Sequence, residues 1–209
     1  MPLPASAIPA PLQDNDPADA AHESLETLSL LARRRSTKVG RLAEPGPSED
    51  QIDALLRLAA RVPDHGKLGP WRFVVIAGEA RARAGEALAE AIAKDEGVDE
   101  ARLGAARGLL QRAPACVMVV STAAPHPKIP EWEQLQSAAM ASFALLLAAH
   151  AMGFGGCILT EWPAYDARAR AALGLKEHER IAGFVYLGTP REPVTERFRA
   201  DLGSRVSRF

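Results

Sequence analysis

The sequence predicts an α+β fold, with the strand and helix alternation of α/β chains, in which several helices surround a sheet. Three observations predict it. Runs with helical apolar spacing alternate with short β-branched runs, a 19-residue stretch almost free of charge supplies a long central helix, and neither GxGxxG nor GxxxxGK[ST] is present. With 209 residues and 47% hydrophobic content, the chain buries one core. A single domain is therefore expected over residues 23–209, preceded by a flexible or loosely docked arm, residues 1–22, whose first 21 residues carry five prolines and no basic residue.

Each element follows from local chemistry. Leu25, Leu28, Leu31 and Ala32 share one helical face, and that helix ends in Arg33, Arg34, Arg35 and Ser36. After a polar loop, Ser48 and Gln51 form a capping box for a second helix that runs to about Arg61 and is ended by Pro63. The loop 63–70 leads into a strand at 71–77, WRFVVIA. Two alanine-rich helices are predicted at 79–94 and 99–112, then a strand at 115–122 and the long helix at 131–152, closed by Gly153. Cys157, Ile158 and Leu159 read as a short strand, Asp166 caps a short helix, and Ile181 to Leu187 form the last strand, stopped by Gly188, Thr189 and Pro190. The arginine-rich remainder, 191–209, reads as an extended tail.

Charge and composition exclude several function classes. The formal net charge of −1 gives no general attraction for nucleic acid or an anionic membrane surface. The uncharged stretch 138–156 is rich in alanine and glycine and contains Ser142 and His150, so it is read as a helix covered by protein, not as a membrane span. Cys116 and Cys157 stand in apolar settings and suit buried thiols in a reducing, cytoplasmic compartment better than a disulfide. His150 is read as a core histidine with its hydrogen bonds satisfied.

Two constellations stand out. Arg34, Arg35 and Ser36 suit a phosphate, because guanidinium groups bind it through paired, charge-assisted hydrogen bonds. By themselves they equally suit cations answering the negative end of a helix. The loop around His65 and Lys67, preceded by Arg61, places polar groups directly before an apolar strand, where sites gather. Gly153, Phe154, Gly155 and Gly156 suit either close approach to a flat ligand or a tight strand start. His126, Lys128, Glu131 and Trp132 stand at the start of the long helix, where they suit an acidic first turn better than a substrate contact.

In this order the segments resemble the nitroreductase-like family of flavin mononucleotide (FMN) oxidoreductases, in particular its small bacterial members. The matching text is RRS at 34–36, RLAEPGPSEDQ at 41–51, RVPDHGKLGPWRFVVI at 61–76, PKIPEWEQ at 127–134, GFGG at 153–156 and IAGFVYLGTP at 181–190. The resemblance implies a nitroreductase-like fold with a central, mainly antiparallel sheet, and a domain-exchanged homodimer with FMN in the interface. It implies NADH or NADPH as electron donor and a small nitro compound or quinone as acceptor, in ping-pong order. By position, Arg34, Arg35 and Ser36 would hold the flavin phosphate and ribityl end, Ile158, Leu159 and Thr160 would line the ring, Arg61 and His65 would come from the partner chain, and Lys67 would place positive charge near the flavin. Arg205 or Arg208 would be the basic tail residue beside the phosphate. Same-fold desaturase or dehalogenase-like chemistry, and flavin binding without turnover, are the alternatives it leaves. The sequence departs from the family pattern at Thr37 to Gly40, a small insertion that displaces an arginine, and at the apolar Ile158 and Leu159.

Overall fold

The computed structural model describes residues 1–13, 15–18 and 21–209. Its sheet has five strands: β1 (Leu42–Ala43), β2 (Trp71–Ala77), β3 (Ala115–Ser121), β4 (Gly155–Leu159) and β5 (Arg180–Pro190). Every pairing is antiparallel, with β2 on β3, β3 on β5, β4 on β5 and β1 on the last residues of β5. Residues 184–187 of β5 pair with both β3 and β4, so β5 is central and the order across it is β2, β3, β5, β4.

Both faces of this sheet are covered, which is why β3 reads as an unbroken apolar run. Cys116, Met118 and Val120 pack with Leu88, Ile92 and Leu110, beneath α3 (Ala80–Ile92) and α4 (Glu100–Gly108). Their alternate neighbours Val117 and Val119 pack with Ile52, Leu55 and Leu145, beneath α2 (Glu49–Ala59) and α5 (Glu131–Ala151). The period of two along β3 thus feeds two separate clusters. The helix α2 carries the expected capping box, Ser48 accepting from the Gln51 amide and Gln51 from the Ser48 amide.

Two strand expectations need correction. The polar loop after α1 (Leu25–Arg33) contains the short β1, and β5 does not stop at Gly188 but continues through Pro190. Gly188 is there for space, since a Cβ would meet Ala43 O at 3.0 Å and the Pro114 ring at 2.8 Å. The arm takes the docked option at its start. Leu3 donates its amide to Met152 O at 2.7 Å, its carbonyl accepts from Gln51 Nε2 at 2.7 Å, and Ile8 packs against the α2–α5 cluster.

The helix α5 has one buried face, including Ser137, Ala141, Leu145 and Ala149, and one uncovered face. Trp132, Leu135, Met140 and Phe143 are exposed on the latter, as are Leu25, Leu28 and Leu31 of α1. Among the described residues no helix is long and apolar enough to cross a membrane.

Candidate functional site

The site grows from the junction of α1 and β4. After α1 the chain runs past the first residues of β4, with the Thr37 amide donating to Gly156 O at 2.9 Å and Thr37 itself 2% exposed. This fixes Arg34, Arg35 and Ser36 beside the head of β4. Gly155 and Gly156 permit that contact and the sheet's own packing: a Cβ on Gly155 would meet Thr37 Oγ1 at 2.9 Å, and one on Gly156 would meet Tyr186 O at 2.7 Å. The glycines therefore serve a tight strand start, preceded by a helix stop at Gly153 with φ +93°.

Arg34 donates weakly to Ser36 Oγ at 3.4 Å and lies over the Phe143 ring, 5.8 Å from its centre. The tail folds back over the same corner. Arg199 Nη2 donates to Arg34 O at 3.4 Å, Arg35 Nε donates to Thr195 O at 3.0 Å, and Arg35 pairs with Glu196 at 3.4 Å. Burial, then Arg199, Arg35 and Arg197, push the Arg34 guanidinium below its ordinary pKa, with Glu196 the one carboxylate opposing them. Among the described residues Glu196 pairs with Arg35 and Arg199, and Arg34 and Arg197 add positive charge nearby, a surplus suited to a phosphate.

The tail arginines that reach this corner are Arg197 and Arg199. Arg205 and Arg208, expected there from the sequence, are exposed further along the tail and make no side-chain hydrogen bond or ion pair among the described residues. Arg41 pairs with Glu192 at 3.0 Å, so it is already engaged.

Ile158, Leu159 and Thr160 follow toward the other end of β4, roughly 7 to 13 Å along the chain from Gly156. All three are half-buried. Thr160 Oγ1 accepts from Tyr165 OH at 3.0 Å. The following residue, Glu161, turns the chain with φ +52°. Cys157 faces the core, 5% exposed, where burial pushes its thiol up to about 11, so it is no thiolate nucleophile.

Arg61, His65 and Lys67 lie elsewhere, in the loop before β2 at the opposite edge of the sheet. Three strand spacings, roughly 14 Å, separate β2 from β4. The loop is held by Asp64, whose carboxylate accepts from Leu68 and Gly69 amides at 3.2 and 2.7 Å. All three site residues are exposed, and His65 Nδ1 pairs with Glu133 Oε2 at 2.6 Å. One chain alone does not bring the two sets together.

Other expectations resolve as structure. His126 Nδ1 accepts from the Lys128 and Ile129 amides at 3.2 and 3.1 Å, which pins the turn before α5. His150 needs correction: both ring nitrogens are buried with no hydrogen-bond partner among the described residues. Burial, and secondarily Arg34, lower its pKa to about 4, so the ring stays neutral and tolerates the apolar site. Sequence reasoning also missed the ion pair of Arg112 with Glu161, since 49 residues separate the two and no local spacing signals it.

The Nitroreductase family model matches residues 31–189. The chain is 42% identical over 171 residues to the Escherichia coli K12 protein named "Putative NAD(P)H nitroreductase YdjA", covering 80% of this chain and 90% of that one. Among solved structures it is similar to a nitroreductase-like family protein from Bacillus cereus, at TM-score 0.77 and 20% identity, over 91% of this chain and 99% of the other. A nitroreductase with bound FMN from Bacteroides fragilis matches at TM-score 0.65 and 21% identity, over 89% and 100% of the two chains. The family match, the relative at 42% identity and the shared fold agree, and this chain belongs to the nitroreductase family.

Proposed function

We propose that the protein is an FMN-dependent NAD(P)H oxidoreductase that reduces small nitro compounds, quinones or similar acceptors. The surplus of guanidinium groups around Arg34, beside Ser36 and the head of β4, is the observation that carries this reading. It fits the phosphate end of a mononucleotide, and the backbone of the half-buried Ile158 to Thr160 segment lies roughly 7 to 13 Å further along, within the reach of an elongated ligand. The YdjA relative's name and the FMN in the Bacteroides fragilis structure support the same reading.

Bound flavin would supply hydride acceptance and release, the chemistry the protein lacks. The chain's own part is to bind and position. Arg34, Arg35 and Ser36 hold the phosphate with Arg197 and Arg199, while the backbone of Ile158 to Thr160 lies along one side of the ring, the Ile158 and Leu159 side chains packing on opposite faces of the sheet. A second copy, docked on the exposed apolar faces of α1 and α5, would bring Arg61, His65 and Lys67 across the interface. Lys67 would then favour negative charge on the reduced cofactor. No general base or nucleophile is needed.

The test is the visible spectrum of the purified protein, before and after anaerobic addition of NADH or NADPH. A two-band flavin spectrum that bleaches is expected, and the more effective donor identifies the nicotinamide. A colourless protein that takes up no added FMN would overturn the reading.

A further inference from the structure

We propose that Glu161, anchored by Arg112 and Tyr186, is a positioning residue that fixes the flavin-facing end of β4; this rests on the flavin reading above. Glu161 adopts φ +52° and ψ −179°, a conformation close to glycine's own territory. Such a backbone persists in a non-glycine residue only when its surroundings over-determine it. Here they do so through the side chain.

The Glu161 carboxylate accepts from Arg112 Nη2 and lies 3.2 Å from the Tyr186 hydroxyl. Arg112 is itself fixed three ways: Nε donates to Leu109 O at 2.8 Å, Nη2 donates to Tyr186 OH at 3.0 Å, and its guanidinium lies over the Tyr186 ring at 5.1 Å. Tyr186 is fully buried in the middle of β5, opposite Cys116 of β3 and Cys157 of β4. The anchor is therefore built on the rigid centre of the sheet.

Packing holds the residues after the turn, since Pro163 and Ala164 are buried and Trp162 packs against the core. A cleft of about 710 Å³, lined by Trp162, Tyr165, Ile92, Ala106 and Leu109, lies beside them. At Glu161 itself the side-chain contacts that hold the turn are the polar ones to Arg112 and Tyr186. What they place is Thr160, the residue just before the turn. Because Thr160 Oγ1 already accepts from Tyr165 OH, its own hydroxyl proton is left to donate to an acceptor on the flavin side. The pairing also neutralises Arg112 and Glu161 against each other, so the turn presents a donor without a net charge.

Three variants of the full chain test this: Glu161→Gly, Glu161→Gln and Arg112→Lys. Glycine accepts the backbone conformation but removes the anchor, and lysine keeps the charge but loses the fork. The readouts are the FMN dissociation constant by fluorescence titration, the visible bands of bound FMN, and the melting temperature of the flavin-free protein. Glu161→Gly is expected to bind FMN about tenfold more weakly with shifted bands, a loss worth one charged hydrogen bond, and to bind no better when the titration is run well below its melting temperature. Arg112→Lys moves binding the same way, and Glu161→Gln recovers part of it. Parent-like binding and bands in both Glu161→Gly and Arg112→Lys would overturn the proposal, as would a drop in melting temperature with binding unchanged. If the parent chain itself takes up no FMN, the flavin reading fails and this inference with it.

Discussion

Two charged regions of this molecule resolve their electrostatics in opposite ways. At the start of β2, Arg72 grips Glu179 with two hydrogen bonds of 2.8 and 2.7 Å, and the Lys176 amide adds a third at 2.8 Å. Glu179 is 2% exposed and every charge there has its answer. At the end of α1, Glu196 pairs with Arg35 and Arg199, while Arg34 is held below its ordinary pKa by burial and then by Arg199, Arg35 and Arg197. The first region spends its polar groups on the fold. The second leaves positive charge in excess, which the proposed function assigns to a ligand.

Breaking the closed pair has the largest expected effect. Arg72→Ala leaves the Glu179 carboxylate buried without its partner and is expected to cost about 3 kcal/mol, measured by urea denaturation, with FMN affinity unchanged. The acid side sharpens this. The Arg72 hydrogen bonds hold Glu179 at about 2 against an ordinary 4.5. A carboxyl group depressed in the folded state contributes fully above its unfolded pKa, so stability should fall as pH drops from 4.5 toward 2, and less so in Glu179→Gln.

Opening the other region should move binding instead. Arg34→Ala is expected to weaken FMN binding by roughly 30-fold while the flavin-free protein melts no lower, because a like-charge neighbour has gone. A smaller effect concerns His150, neutral and without a hydrogen-bond partner among the described residues. Its folded pKa of about 4 lies below 6.5, so the unfolded chain binds the proton more readily and stability falls as pH drops from 6.5 toward 4. His150→Leu should flatten that part of the pH profile. The smallest effect on stability belongs to the exposed His65 and Glu133 pair: His65→Ala should change it by less than about 0.5 kcal/mol and yet weaken FMN binding across the interface.

Much of the fold was legible because its signals are local. The WRFVVI run, the capping box at Ser48 and the glycine stop at Gly153 each lie within a few residues of what they determine, and each stands where expected. The errors concern partners distant in sequence. A strand of two residues, Leu42 and Ala43, has no periodicity to read, and Pro190 extends β5 only because β1 arrives beside it. In the candidate site, the grouping of Arg34 to Ser36 follows from their adjacency in sequence, whereas the approach of Arg199 to Arg34, with Arg205 and Arg208 further along the tail, depends on how the tail folds back. The Arg112 and Glu161 pair needs the whole sheet to bring it together.

The amide of Gln51 does two jobs at once. Its oxygen accepts from Ser48 N and closes the first turn of α2, while its nitrogen donates to Leu3 O, and the Leu3 amide in turn satisfies Met152 O just past the end of α5. One side chain thus laces three parts of the chain that are remote in sequence. Glutamate, the usual alternative in a capping box, would keep the first bond and set two oxygens facing each other at the second. At this position the ordinary interchange of glutamine and glutamate would unfasten the arm and leave the last turn of α5 free to fray.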